Sequence, residues 1–183
     1  MNEIIISGFG GQGVLLTGLI LANIAMSDDK NVTWIPSYGS EKRGGSANCS
    51  LKISSDEIAS PYCKKIDILV AMNKASLEKF QDDVKENGTL IVNSSLIKDM
   101  NYRDDIKVVE VPMNEIATSM NNPRGANISA LGAIASATRI FDKETFVTEI
   151  DSYLRNKNID PLNNLKVFEA SFNYVKEENS EIK

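Results

Sequence analysis

The chain has 183 residues, of which 42% are apolar and 25% are charged, and its formal net charge is −5. This length suits a globular domain with a real core, and the negative charge argues against nonspecific nucleic-acid binding. No apolar run approaches the roughly 18 residues that cross a bilayer, and nothing resembles a signal peptide before the first strand. A cytoplasmic protein without membrane contact is therefore expected.

The residues that usually hold metals are scarce. There is no histidine, and the two cysteines, Cys49 and Cys63, lie fourteen positions apart. A zinc site or a cysteine-bound iron–sulfur cluster within this chain is therefore not expected. Both cysteines are interpreted as reduced, small core residues, and any redox metal is expected to belong to a partner.

Apolar periodicity predicts alternating strands and helices along the whole chain. Pro36 is expected to stop the second strand, Asn87-Gly88 to cap the second helix, and residues 176–183 to fray. The alternation predicts one domain over 1–183, a three-layer α/β/α fold with a mostly parallel or mixed sheet and a Rossmann-like start. Strands are expected at 3–7, 31–36, 47–54 (half exposed), 66–73, 89–93 and 106–112, and helices at 12–26, 74–86, 113–120, 126–141, 142–156 and 161–177.

A glycine-rich loop follows the first strand. Gly8, Gly10 and Gly13 stand in the G-x-G-x-x-G register, with Gly11 and Gln12 between them. Such a loop exposes backbone N–H groups at a helix N-terminus, where an anion can approach. No carboxylate ends the second strand to hold a ribose, and no Lys-Ser or Lys-Thr follows the loop, which argues against dinucleotide and Walker A sites. Close packing or a subunit contact, a phosphate-bearing ligand, and NAD or FAD remain as interpretations.

A second loop lies within "PSYGSEKRGGSANC", residues 36–49. Arg43 stands beside Gly44 and Gly45. A guanidinium group with several N–H donors is therefore expected next to flexible backbone. Because the loop follows the second strand, we expect it at the same sheet edge as the glycine loop. Together the two loops could hold a phosphate; equally, Arg43 could pair with Glu41 or with a carboxylate of a partner.

Polar residues also end a central strand. Asn93, Ser94 and Ser95 fall where ligands collect in α/β folds, but capping of the next turn is the preferred interpretation. Asn127 and Ser129 open a helix rich in small residues, and we expect that helix to be buried and these two to cap it or form buried hydrogen bonds.

Several motifs together resemble one family. "GFGGQGVLLTG", "PSYGSEKRGGSANC", "SPYC", "DILVAMN", "LIVNSSLI" and "NPRGANISALGA" are similar to the gamma subunit of 2-oxoacid:ferredoxin oxidoreductases, over residues 3 to about 140. The second motif is more similar to the 2-oxoglutarate and branched-chain 2-oxoacid members than to the indolepyruvate members.

The resemblance implies a division of labour. Such complexes decarboxylate a 2-oxoacid on thiamine diphosphate, pass electrons through iron–sulfur clusters to ferredoxin, and form acyl-CoA. This chain lacks a Gly-Asp-Gly thiamine stretch and a Cys-x-x-Cys pair. The resemblance therefore implies a gamma subunit that is inactive alone and packs against alpha, beta and delta subunits, which hold the cofactors.

The two loops are the candidate site of this subunit. They are expected to face the partner subunits or to line the entry of the CoA phosphates, and no residue is assigned a catalytic role. A homodimer of the isolated chain is compatible with this docking surface, and a stand-alone NAD(P)- or CoA-binding module is the alternative. The candidate residues are Gly8, Gly10, Gly11, Gln12, Gly13, Arg43 and Gly44.

Overall fold

A computed structural model describes residues 1–39 and 45–181, which build a six-stranded sheet with helices on both of its faces. This architecture agrees with the α/β class expected from the alternating pattern. In chain order the elements are β1 (Asn2–Phe9), α1 (Val14–Ser27), β2 (Asn31–Tyr38), β3 (Ser46–Ser54), β4 (Ile66–Ala71), α2 (Lys74–Phe80) with a following 3-10 turn (Gln81–Asp83), β5 (Val84–Asn93), β6 (Lys107–Val111), α3 (Met113–Ser119), α4 (Ala126–Thr138), α5 (Lys143–Asn156) and α6 (Leu162–Glu181).

The sheet is mixed, in the order β2-β3-β1-β4-β5-β6. Strands β1, β4, β5 and β6 pair in parallel, whereas β3 pairs antiparallel with both β1 and β2. Of the six described strands, β3 alone therefore runs against the others. The carboxyl ends of the other five open at one edge, which also carries the glycine loop.

Two apolar cores lie on the two faces of the sheet. On one face Ile6 and Leu51 pack with buried residues of α1, α4, α5 and α6. On the other face Leu69 and Leu90 pack with Leu77 of the short helix α2. The central strands are buried on both faces, which explains their continuous apolar runs.

Helix α4 is buried, as its small residues predicted. A Cβ atom added at Gly132 would lie 2.4 Å from the backbone oxygen of Phe168 in α6. Ser129 Oγ donates to Ser171 Oγ at 3.0 Å across the same contact. The absence of a side chain at position 132 thus permits the close approach of α4 and α6.

The prediction that Pro36 stops the second strand is wrong. Strand β2 continues to Tyr38, and Pro36 is paired with Cys49 of β3. Because β2 is an edge strand of the described sheet, the missing N–H of proline deprives no second neighbour of a hydrogen bond.

The predicted helix 74–86 is also wrong beyond Phe80. The segment after the 3-10 turn joins the sheet at Val84, whose buried side chain pairs opposite Ile66. Asn87 and Gly88 do not cap a helix but lie inside β5 at a shift of register, where Asn87 adopts a φ of 62°. The first residues of β5 pair with the amino end of β4. Helical periodicity is a local pattern and cannot predict this pairing with a distant strand.

Two helix ends differ from prediction. Helix α4 ends at Thr138 rather than at 141, because Arg139 takes the left-handed conformation with a φ of 53°. Helix α6 runs to Glu181, so the expected frayed tail is helical over most of its length. None of the described helices combines the length and the apolar character needed to cross a bilayer.

Strand β3 is less exposed than its alternation predicted. Lys52 is 4% exposed, on the face that was expected to be solvated. Its ammonium lies 3.3 Å from the carboxylate of Glu3, which also accepts the N–H groups of Lys64 and Lys65. The segment before β4 thus folds over the polar face of β3 and removes it from solvent.

Candidate functional site

The glycine loop joins β1 to α1 at the edge where the carboxyl ends of the parallel strands meet. Ligands of open α/β sheets usually bind at this edge. The start of α4 and the residues that follow β4 and β5 lie beside the loop. This edge is therefore the candidate site. Its glycines, amide side chains and helix starts have different structural roles.

Gly8 and Gly13 serve close packing. A Cβ atom at Gly8 would lie 2.6 Å from Gln12 Oε1 and 2.9 Å from Met72 Cβ. Gly13 has a φ of 74°, and a Cβ there would lie 2.7 Å from Asn127 Cβ. These two glycines let α1 start directly against β4 and the first turn of α4.

Gly10 and Gly11 are the open part of the loop. Both are exposed, and a Cβ atom at Gly11 would meet nothing within 4 Å. The N–H of Gly10 donates to the oxygen of Gly45 at 2.9 Å. This bond places the end of the second loop beside the first, as expected, while Arg43 and Gly44 lie outside the described residues.

Gln12 holds the loop in shape. Its Oε1 accepts the N–H of Phe9 at 2.6 Å and the Asn73 side-chain amide at 3.2 Å. Its Nε2 donates to the oxygen of Met72 at 3.2 Å. Because its amide is engaged at both ends, Gln12 ties the loop to the end of β4 and is a positioning residue here.

Two helices begin side by side at this edge. Gly13 and Gly125 are the N-cap residues of helices α1 and α4, and neither helix start has a side-chain cap. Thr17 Oγ1 bridges them, 3.1 Å from the oxygen of Gly13 and 3.2 Å from the oxygen of Asn127. Both helix dipoles therefore present their positive ends close to the open glycines, a surface that favours negative charge.

Asparagines connect the other strand ends. Asn73 accepts the N–H of Ser76 at 2.9 Å and caps α2. The fully buried Asn93 donates to Asn114 Oδ1 at 2.8 Å and accepts the N–H of Ser95 at 3.3 Å. In the described chain no helix directly follows residues 93–95, so they do not cap the next turn as expected; Asn93 closes a turn on Ser95, and Ser95 caps the start of α3 instead. Asn73 and Asn114 were not among the expected residues, although both follow strands closely.

Ser95 reaches the start of α3. Its hydroxyl accepts the N–H of Asn114 at 3.0 Å and donates to Glu115 at 2.6 Å. Apart from Glu115, the side chains described in this network are neutral amides and hydroxyls. The arrangement can position backbone groups, but it presents no pair of groups suited to exchange a proton near neutral pH.

The two cysteines lie away from this network. Burial raises the pKa of Cys49 to about 12, and its Sγ lies 3.6 Å from the oxygen of Val14. Burial, aided by the charge of Glu3, also raises the pKa of Cys63. Both remain thiols at neutral pH. Within 1–39 and 45–181, no three acidic or cysteine side chains are grouped so that they could hold a metal ion.

Apolar side chains are exposed along the same edge. Tyr38 at the end of β2 is 73% exposed, Phe9 at the end of β1 is 42% exposed, and Leu96 after β5 is 50% exposed. Large apolar side chains presented together on a surface often mark a protein interface. The edge thus combines exposed loop backbone with three exposed apolar side chains.

Comparison with known proteins adds the family. The family model described as pyruvate ferredoxin/flavodoxin oxidoreductase matches residues 3–174. Ketoisovalerate oxidoreductase subunit VorA of Methanothermobacter marburgensis is 36% identical over 172 residues, which is 93% of this chain and 36% of the relative. The chain thus spans about a third of the length of this relative.

Two further matches are similar in length to this chain. The 2-oxoglutarate synthase subunit KorC of Methanocaldococcus jannaschii is 38% identical over 147 residues, 79% of each chain. The crystal structure of a keto/oxoacid ferredoxin oxidoreductase gamma subunit from Geobacter sulfurreducens has a TM-score of 0.80 and 30% identity, covering 94% of this chain and 97% of the other. These matches confirm the resemblance that the loop motifs indicated.

Proposed function

Because the chain belongs to the pyruvate ferredoxin/flavodoxin oxidoreductase family, we propose that it is the gamma subunit of a 2-oxoacid:ferredoxin oxidoreductase. In this proposal the assembled complex converts a 2-oxoacid and CoA to acyl-CoA and CO2 and reduces ferredoxin. 2-Oxoglutarate and branched-chain 2-oxoacids are the proposed substrates, since the relatives named KorC and VorA carry those activities in their names.

The proposed role of this chain is to dock, not to catalyse. The chain has two cysteines and no histidine, so its residues do not supply the four ligands that an iron–sulfur cluster needs. Thiamine diphosphate and the clusters are accordingly assigned to alpha, beta and delta subunits. The chain is proposed to act as one domain in the cytoplasm, and to form homodimers when its partners are absent.

The observation that carries the proposal is the exposed backbone of Gly10 and Gly11 at the edge that also exposes Phe9, Tyr38 and Leu96. We assign this backbone, with Arg43 and Gly44, to the surface that faces the partner subunits and the entering CoA phosphates. Gly8, Gln12 and Gly13 support that surface through the contacts that shape the loop.

Substitution of Arg43 tests the proposed contact with the CoA phosphates. In the complex assembled with its partner subunits, Arg43→Ala is expected to raise the KM for CoA about tenfold with little change in the KM for the oxoacid, as expected for loss of a charged contact to phosphate. Dye reduction at varied CoA concentration measures this. Lys157→Ala, a charge removal at the end of α5, is the control.

The possible results test the CoA contact and the subunit role separately. An unchanged KM for CoA in the Arg43→Ala complex would contradict the CoA contact but leave the subunit role standing. Failure of the chain to co-purify with thiamine-binding and iron–sulfur partners, or steady oxoacid turnover by the isolated chain, would contradict the subunit role itself.

A further inference from the structure

A second region of interest lies at the opposite end of the sheet from the glycine loop. A cavity of about 650 Å³ opens between the start of β6, the end of α4, the start of α5 and the second half of α6. This volume falls within the range of small-molecule sites, about 300–1,000 Å³. The described lining of this cavity shares no residue with the candidate site at the carboxyl edge.

The walls of this cavity are strongly basic although the chain is acidic overall. Lys107, Arg139, Lys143 and Lys176 line it, and Asp142 is the acidic residue among its described lining. Lys143 is paired with Glu169 of α6. Positive charge that this pair does not balance therefore remains around Lys107 and Arg139.

Part of the wall is apolar. Phe141, Ala135 and Ala137 line the cavity beside the basic side chains. The ring of Phe172 closes one side, with the ammonium of Lys143 4.9 Å from its centroid. Such a wall suits a ligand that has an anionic end and an apolar body.

Lys107 is bonded to the end of α4, next to Arg139. Lys107 Nζ donates to the oxygen of Ala137 at 3.2 Å, and both residues line the cavity. Arg139 ends α4 in the left-handed conformation, where glycine is usual, and its backbone N–H donates to the oxygen of Ala135 at 3.2 Å. Arg139 is exposed, so core packing does not account for an arginine at this position.

We propose that this cavity binds a small molecule that carries a phosphate group and an aromatic or other apolar part. Lys107 and Arg139 contact the phosphate, and Ala135, Ala137 and Phe141 contact the apolar part. The inference does not depend on the proposed subunit role, since it uses only residues of the cavity.

Titration of the full-length chain tests this, with phenyl phosphate and inorganic phosphate as probes at constant ionic strength. We expect saturable binding by calorimetry, with phenyl phosphate several-fold tighter. Arg139→Gly is the informative variant, because glycine suits the left-handed conformation and keeps the fold while the charge is lost. It should weaken phenyl phosphate binding about tenfold, as should Lys107→Met.

Lys166→Ala is the matched control, because Lys166 is exposed on α6 but does not line the cavity. It should leave binding unchanged. Absence of saturable binding by the intact chain, or an equal loss in the control, would overturn the proposal. Equal affinities for the two probes would overturn the assignment of the apolar wall.

Discussion

Glu3 and Lys52 form an ion pair whose side chains are only 7% and 6% exposed. Burial opposes ionisation of Glu3, but the N–H groups of Lys65 and Lys64 and the charge of Lys52 outweigh it and hold the pKa of Glu3 below its usual value. The pair joins directly opposite positions of β1 and β3. A buried pair of this kind adds little net stability, but loss of one member leaves a buried charge unpaired.

Glu3→Gln is therefore expected to lower the free energy of unfolding by about 3 kcal/mol at pH 7. Since the pKa of Glu3 is lower in the folded state, its contribution is present above the unfolded pKa of about 4.3 and is lost as the pH falls through the folded pKa. The difference between variant and parent should therefore shrink at acid pH. Urea denaturation at pH 7 and at acid pH measures it.

The exposed pair of Lys74 and Glu78 provides the control. Lys74 Nζ lies 3.8 Å from Glu78 Oε1, and both side chains are more than half exposed. Glu78→Gln should change the free energy of unfolding by less than about 0.5 kcal/mol. Equal effects of the two substitutions would show that burial does not govern the Glu3 pair.

Helices pack onto their neighbours through glycines at two places. A Cβ atom at Gly18 of α1 would lie 2.3 Å from Cys49 Sγ of β3, and one at Gly132 of α4 would lie 2.4 Å from the backbone of α6. In the second case the obstacle is backbone, which a side-chain rotation cannot relieve. The separation of α4 and α6 therefore depends on the missing side chain.

Gly132→Ala is expected to destabilise the chain by about 1–3 kcal/mol through overpacking. The gain in helix propensity, about 1 kcal/mol, offsets only part of this effect. Thermal unfolding followed by circular dichroism measures the change. Ser136→Ala, one turn later on α4, should be within about 0.5 kcal/mol of the parent; a Gly132→Ala variant as stable as this control would contradict the close contact.

Element type was easier to predict than element ends. Glycine and asparagine near residues 87–88 favour a helix stop locally, yet Val84 is buried against the sheet and draws the segment into β5. Pro36 is tolerated because its strand lies at an edge of the described sheet. In both cases the place of the segment in the sheet overrides a local signal.

The carboxyl edge of the sheet is the proposed docking surface of the whole molecule. Tyr38 projects from it with 73% of its surface exposed. Tyr62, 70% exposed, lies in the segment between β3 and β4 at the opposite end of the sheet. The two tyrosines are thus alike in chemistry and exposure but differ in position.

Tyr38→Glu is expected to weaken association with the partner subunits about tenfold, because a charge would be buried in an apolar contact. The unfolding temperature of the isolated chain should stay nearly unchanged, since this side chain is mostly solvated. Pull-down of the partners at graded concentrations measures the effect, with Tyr62→Glu as the control. Equal retention of partners by the two variants would argue against docking at this edge.

The candidate site was predictable in part. The register of Gly8, Gly10 and Gly13 identifies the loop, but it does not say which glycines serve packing and which remain open. Only the contact of Gly13 with Asn127 and the open space around Gly11 separate these roles. The roles of Gln12 and Asn73 likewise appear only once β1 and β4 are adjacent.

From the amino-acid order alone came the α/β class, the glycine motifs and the family, because periodicity and short motifs are local properties of a chain. The tertiary structure alone decided that β3 lies between β1 and β2, that Glu3 and Lys52 are buried together, and that four cations surround one cavity. These features depend on contacts between residues far apart in the chain, and such pairings arise only when the whole sheet and its helices assemble.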